Sequence, residues 1–322
     1  MSNFYTDVSV LGNSILFKGI ENGKRVQFKH DYSPKVFVKS NKQSEWKNLF
    51  GQYVEEIQPG NISETRDFIK RYSDVDNFEV YGDIGFDVQY ISEKYTGIID
   101  WDMNYINSFV LDIETATEQS GFPDADQANE EILLITLKNM KTKTSTTFLS
   151  RNYTGDGVKN NNRIMCQDEY SLLTQFISFW RQCDIDIITG WNVKFFDIPY
   201  IVNRIKNLLS ESWSKRLSPW NTLSERTVKI MGKDQVAYTP LGIAVLDYIE
   251  LYKKFVPGGQ SQESYKLDAI CHNDLGERKL SYEEYGNLHT LYKDNYQKFI
   301  EYNIRDVELV EKLDSKHKII DL

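Results

Sequence analysis

The sequence predicts a mixed α/β protein, with a smaller β-rich α+β part at residues 1–105 and a larger part at 106–322 in which strands and helices alternate. Three observations predict it. Strand-like segments meet across Asn22-Gly23, an acid-ended apolar strand begins after Ile106, and segments with apolar residues at helical spacing follow. A chain of 322 residues exceeds the usual single-domain size, which suits two unequal domains.

Residues 4–10, 15–20 and 25–30 read as strands, and Asn22-Gly23 joins the last two because both residues accept the positive φ of a tight hairpin turn. Ser63 is placed to cap a short helix through Arg66, Phe68, Ile69 and Tyr72, and residues 86–91 suggest another. The segment Ser-Phe-Val-Leu-Asp-Ile-Glu at 108–114 is a strand that turns acidic at its end, and 132–137 and 146–149 supply more strands. The Asn- and Gly-rich stretch 151–163 reads as a mobile loop. Leu172, Leu173, Phe176, Ile177 and Trp180 share one helical stripe, and 185–189 is a buried strand. Asp197 opens the next helix, with Pro199 in its first turn. A hairpin with short strands is expected at 228–238, a strand at 243–246 and one long helix at 292–313.

Composition narrows the chemistry. Cys166, Cys183 and Cys271 lie far apart without a CxxC pair, which argues against a disulfide framework or zinc site and leaves buried free thiols. The four histidines are scattered, so any metal should be held by oxygen. A net charge of -9 disfavours a general duplex binder, yet suits a nuclease, where carboxylates gather round hard cations that meet the phosphate. No segment resembles a membrane span or cleavable signal, so the expectation is a cytoplasmic protein with no membrane partner.

Asp112 and Glu114 are two apart on a strand, so both side chains leave the same face and repel unless water or a cation intervenes. Taken alone, such a pair is more often a solvated strand edge. Asp197 follows the loop 191–196 and has an ordinary reading as a helix cap. Tyr302 and Asp306 lie four apart on one helical face, a common spacing.

In this order, the Asp-Ile-Glu of 112–114, the 192–197 stretch and the Tyr302/Asp306 pair match the three motifs of the DEDD proofreading exonucleases, in their tyrosine form. Thr189-Gly190-Trp191-Asn192, Phe196-Asp197-Ile198-Pro199-Tyr200, Asn203-Arg204-Ile205-Lys206-Asn207, Lys215-Arg216-Leu217-Ser218-Pro219, Leu246-Asp247-Tyr248-Ile249 and Lys253-Lys254-Phe255 extend the match. Across essentially its whole length the chain resembles the family B replicative DNA polymerases of T-even-type bacteriophages.

The resemblance implies an N-terminal domain at 1–105 and a ribonuclease-H-like 3′→5′ exonuclease domain at 106–322. It implies two-metal hydrolysis with Mg²⁺ or Mn²⁺, the cations about 3.5 to 4 Å apart. Asp112, Glu114 and Asp306 would hold the metal that activates water, Asp112 would also reach the second with Asp197 helping through water, and Tyr302 would orient the attacking water. Phe122, Phe196 and Tyr200 are candidates for stacking on a single-stranded DNA 3′ end, and Asn192 for hydrogen bonding to it. By resemblance, too, the 228–238 hairpin would help part primer from template DNA.

The family's Ser-Leu-Tyr-Pro-Ser-like and Asp-Thr-Asp polymerising motifs are absent, so no primer extension is expected without a polymerase domain, in cis or in trans. Residues 312–322 stay charged and helix-prone without a Gly or Pro stop, and read as a helix cut short. Two alternatives remain at this point. One is a non-catalytic single-stranded nucleic-acid-binding or assembly module; the other is a ribonuclease with the same metal chemistry.

Overall fold

The computed structural model describes residues 2–82, 85–116, 123–230 and 232–321. The chain divides into two compact units, Met1–Tyr105 and Ile106–Leu322. In the first, β1 (Phe4–Leu11), β2 (Ser14–Glu21) and β3 (Lys24–Asp31) form an antiparallel sheet in that order. The hairpin turn is as expected, with Asn22 at φ 53° and Gly23 at φ 74°. Strands β4 (Val36–Lys39), β5 (Trp46–Lys47), β6 (Tyr53–Ile57) and β7 (Val80–Tyr81) make a second sheet, ordered β5-β6-β4-β7. It went unread in the sequence because its strands are short. Helices α1 (Ile62–Tyr72) and α2 (Phe86–Lys94) complete the unit. The cap of α1 is Asn61 rather than Ser63: its side chain accepts from the Glu64 N–H, and the Glu64 carboxylate accepts from the Asn61 N–H.

The second unit carries β8 (Ser108–Thr115), β9 (Ile132–Asn139), β10 (Ser145–Leu149), β11 (Asn161–Met165), α3 (Glu169–Gln182) and β12 (Ile187–Gly190). After these come α4 (Asp197–Leu208), α5 (Glu211–Lys215), β13 (Leu223–Ile230), β14 (Lys233–Pro240), β15 (Ala244–Asp247) and α6 (Tyr248–Phe255). Helices α7 (Leu267–Leu275), α8 (Leu288–Asp294) and α9 (Tyr296–His317) follow. Six strands form one mixed sheet ordered β11-β10-β9-β8-β12-β15. β8, β9 and β10 pair antiparallel, while β12 runs parallel to β8 and β15 parallel to β12, the mixed α/β arrangement expected of a ribonuclease-H-like fold.

Side-chain alternation along β8 decides what lies on each face of the sheet. Phe109, Leu111 and Ile113 join a core with Leu172, Leu173, Phe176 and Trp180 of α3 and Ile198, Ile201 and Ile205 of α4. On the other face α9 packs on β8 and β9, with Phe299, Ile300 and Ile304 against Leu134 and Leu149. Cys166 and Cys271 are buried, Cys183 is half-buried, and all are free thiols. Among the described residues, no helix is long and apolar enough to cross a membrane.

Several expectations are corrected. The loop expected at 151–163 gives way at Asn161 to β11, which pairs in parallel with β10. The helix expected at 292–313 is two, because Asn295 breaks the backbone and its side chain caps α9 at Lys298 N. The terminal helix does not run on: α9 stops at His317, Lys318 turns left-handed at φ 55°, Ile320 N donates to Asp314, and Ile319 and Ile320 are buried. The hairpin strands β13 and β14 are eight residues each, longer than expected.

Candidate active site

The same alternation that buries Leu111 and Ile113 sends Asp112 and Glu114 to the face that meets α9. Beside Glu114 the pairing slips, since Glu114 faces Leu134 and Thr115 faces Ile132, so Leu133 is an extra residue in β9. Helix α9 presents Tyr302, Asn303 and Asp306, all buried. Carboxylate oxygens of Asp112, Glu114 and Asp306 lie within 4.8 Å of one another. Asp197 stands outside this group of three. Its Oδ1 accepts the backbone N–H of Ile113 at 3.0 Å, so it is tied to β8 between the two strand acids. The helix-cap reading of Asp197 is therefore replaced: Phe196 holds the cap position, without a side-chain bond, and Asp197 reaches across to the sheet.

Two local features let the Asp197 loop come this close. A Cβ on Gly190, at the end of β12, would lie 2.5 Å from the Leu111 carbonyl, so any side chain there would push β12 away from β8. Asn192 has φ 71°, a left-handed turn that Asn tolerates, and its carbonyl accepts from Phe195 and Phe196. Asp247 then grips the loop from β15, accepting from Lys194 N at 3.1 Å while capping α6 at Ile249 N.

Electrostatically the site is an excess of acids, with Asp197 and Asp306 buried and Asp112 and Glu114 half-buried. Asp112 is raised well above the usual carboxylate range by burial, then by Asp306, Asp197 and Glu114. Burial, then Asp306, pushes Glu114 up to about 8. Burial likewise takes Asp197 up to about 8, against the opposing Ile113 N–H. Asp306 rises only to about 6, because Lys279 offsets part of its burial. The Lys279 ammonium is 2.6 Å from Asp306 Oδ2 and lies 4.6 Å from the centre of the Tyr302 ring. Burial pulls that ammonium down, but Asp306 and Tyr302 outweigh it and hold it charged. Asp306 Oδ1 is buried without a hydrogen-bond partner. An all-oxygen donor set with an orphaned carboxylate oxygen fits a hard divalent cation.

The family model "DNA polymerase family B, exonuclease domain" matches residues 102–270. The chain belongs to that family. It is 33% identical over 349 residues to the DNA-directed DNA polymerase of Escherichia phage RB69, and 30% identical over 347 to that of Enterobacteria phage T4. All of this chain is covered in both comparisons, and it spans 38% of the length of each polymerase. The DNA polymerase delta catalytic subunit of Schizosaccharomyces pombe is 26% identical over 158 residues, 47% of this chain and 14% of that one.

In this family B exonuclease domain, Asp112, Glu114, Tyr302 and Asp306 converge, and Asp197 joins them through the sheet backbone. Asn192 and the half-buried Phe196 lie on the loop that leads to Asp197. Tyr200 is corrected: it is fully buried and its hydroxyl donates to the Glu130 carbonyl at 2.8 Å, which leaves no ring face for a base. Phe122 lies outside the described residues. Lys279, Asp247 and Asn303, whose Nδ2 donates to Asp112 Oδ2 at 2.6 Å, were not singled out in the sequence. Lys279 sits in Glu277-Arg278-Lys279, a run indistinguishable from solvated surface charge.

Proposed function

We propose that this domain is a 3′→5′ exonuclease that removes nucleotides from DNA 3′ ends as the proofreading part of a polymerase, whose polymerising domain lies in cis or in trans. The observation that carries this reading is the converging trio Asp112, Glu114 and Asp306, with one Asp306 oxygen buried and unpartnered, in a chain of this family. Two divalent cations, Mg²⁺ by preference for oxygen ligands and few carboxylates, would supply charge stabilisation to the attacking and leaving oxygens of an in-line displacement. Asp112, Glu114 and Asp306 would hold them, and an ionised Asp197 would add negative charge beside Asp112. Burial, then the Asp306 charge, keeps the Tyr302 hydroxyl protonated, so it remains able to donate to and orient a water at the scissile phosphate. Lys279 compensates the acids beside that hydroxyl. Phe196 and Asn192 grip the single-stranded end without reading its sequence.

The test compares end-labelled single-stranded DNA and RNA with Mg²⁺, Mn²⁺ and then EDTA. Stepwise release of nucleoside monophosphates from DNA, stopped by EDTA, is expected. Equal degradation of RNA would favour the ribonuclease reading, and degradation of neither with either cation would leave the non-catalytic binding module.

Tyr302→Phe keeps the buried ring and deletes the hydroxyl. Loss of one positioning hydrogen bond is expected to slow single-turnover hydrolysis by roughly 10- to 1,000-fold with DNA affinity unchanged. An unchanged rate would assign Tyr302 a packing role alone.

A further inference from the structure

Three sheet residues stand in one row, Asp112 opposite Thr136 and Thr136 opposite Thr147, on the adjacent strands β8, β9 and β10. Their side chains, with Asn303 of α9 and Asn161 of β11, make one continuous hydrogen-bonded line. Asn303 Nδ2 donates to Asp112 Oδ2 at 2.6 Å, and Asn303 Oδ1 accepts from the Thr136 hydroxyl. The Thr136 and Thr147 hydroxyls are 2.8 Å apart, and Asn161 Nδ2 donates to Thr147 Oγ1 at 2.8 Å. Thr136, Thr147 and Asn303 are fully buried.

The line has only one consistent direction. A carboxylate at Asp112 requires the amino side of Asn303, which turns the amide oxygen to Thr136. The single Thr136 proton then goes to that oxygen, so Thr136 must accept from Thr147, and Thr147 in turn accepts from Asn161. Each donor therefore points toward Asp112. An apolar row would fill this buried space without needing every polar atom matched.

We infer that Asn303, Thr136 and Thr147 are positioning residues, a directed hydrogen-bond line that fixes the Asp112 carboxylate by one oxygen and leaves the other for the cation. Hydrogen-bonded partners behind a ligating carboxylate typically change metal affinity or activity by about 10- to 100-fold when removed. The inference rests on the proposed metal-dependent function.

Thr136→Val keeps the shape of the side chain and removes the proton that orients Asn303, whereas Thr136→Ser keeps the proton and loses a methyl. Mn²⁺ is titrated calorimetrically into the DNA-free chain, and kcat and KM are measured on single-stranded DNA, with thermal melting as the check on folding. T136V is expected to bind Mn²⁺ about 10-fold more weakly and to lose a similar factor in kcat at unchanged KM, while T136S restores both. A T136V chain that matches wild type overturns the inference, and so does equal weakening in T136V and T136S, which would mark lost packing instead. If T136V does not stay folded, Thr147→Val, one link further from the acid, decides by the same measurements. A wild type that neither binds Mn²⁺ nor degrades DNA would defeat the proposed function itself, an outcome distinct from failure of the line.

Discussion

Asp112→Ala, alone or with Glu114→Ala, is expected to abolish DNA degradation while the metal-free chain melts at or above the wild-type temperature. Three carboxylates within 4.8 Å, each raised above its ordinary pKa, store unfavourable charge in the apo fold. Removing one relieves repulsion and desolvation together. Against this, Asp112→Ala leaves the buried Asn303 amide without its acceptor, at roughly 1–3 kcal/mol. The rise in melting temperature should therefore be clearer for Glu114→Ala. Loss of one preorganised charge-stabilising group alone costs roughly 100- to 1,000-fold, and loss of a cation ligand is expected to cost at least that. Near-wild-type hydrolysis by the double variant, followed on labelled single-stranded DNA, would end the two-metal reading.

The metal-free protein is expected to lose stability as pH rises through the range in which these acids ionise, and a divalent cation should remove most of that loss. Glu114 and Asp197 are raised to about 8 and Asp306 to about 6, from ordinary values of 4.5 and 3.8. The folded chain thus holds protons that the unfolded chain has released, and the stabilisation is complete below about pH 4 and is lost progressively as pH rises through about 6 and then about 8. A cation that binds only the ionised folded site opposes this slope and releases protons as it binds. Melting curves at about pH 5 and about pH 8.5, with EDTA and with Mg²⁺, check it. A gap between the two conditions that does not widen with pH, or one that persists in the Asp112→Ala, Glu114→Ala chain, would contradict the assignment of the slope to this site.

Much of this was legible in the sequence because it rests on two periodicities. Alternation put Asp112 and Glu114 on one sheet face, and four-residue spacing put Tyr302 and Asp306 on one helix face. Tyr200 was misjudged because α4 is buried nearly all round, between the sheet and β14, so position along the helix gave no exposed stripe to exclude it. β11 was missed because Asn161 and Asn162 have low strand propensity, and pairing with β10 alone makes them a strand. The stop of α9 carries no Gly; Lys318 adopts the left-handed turn itself, with Ile319 and Ile320 buried beyond it. Lys279 meets Asp306 and Tyr302 only in three dimensions, and no local pattern marks it.

The hydrogen bond from Asn303 to Asp112 joins residues 191 apart, and that from Ile113 to Asp197 joins residues 84 apart. Such closures are expected to form late, because the loop entropy must be lost before the contact rewards it. A chain that has paired β8 with β9 holds two acids but no Tyr302 and no Asp306. Undocking of α9 alone, with the sheet intact, returns the molecule to that condition. On the proposed function, hydrolysis would be no more persistent than the docking of one helix, and amide exchange along α9 would read how often that helix opens.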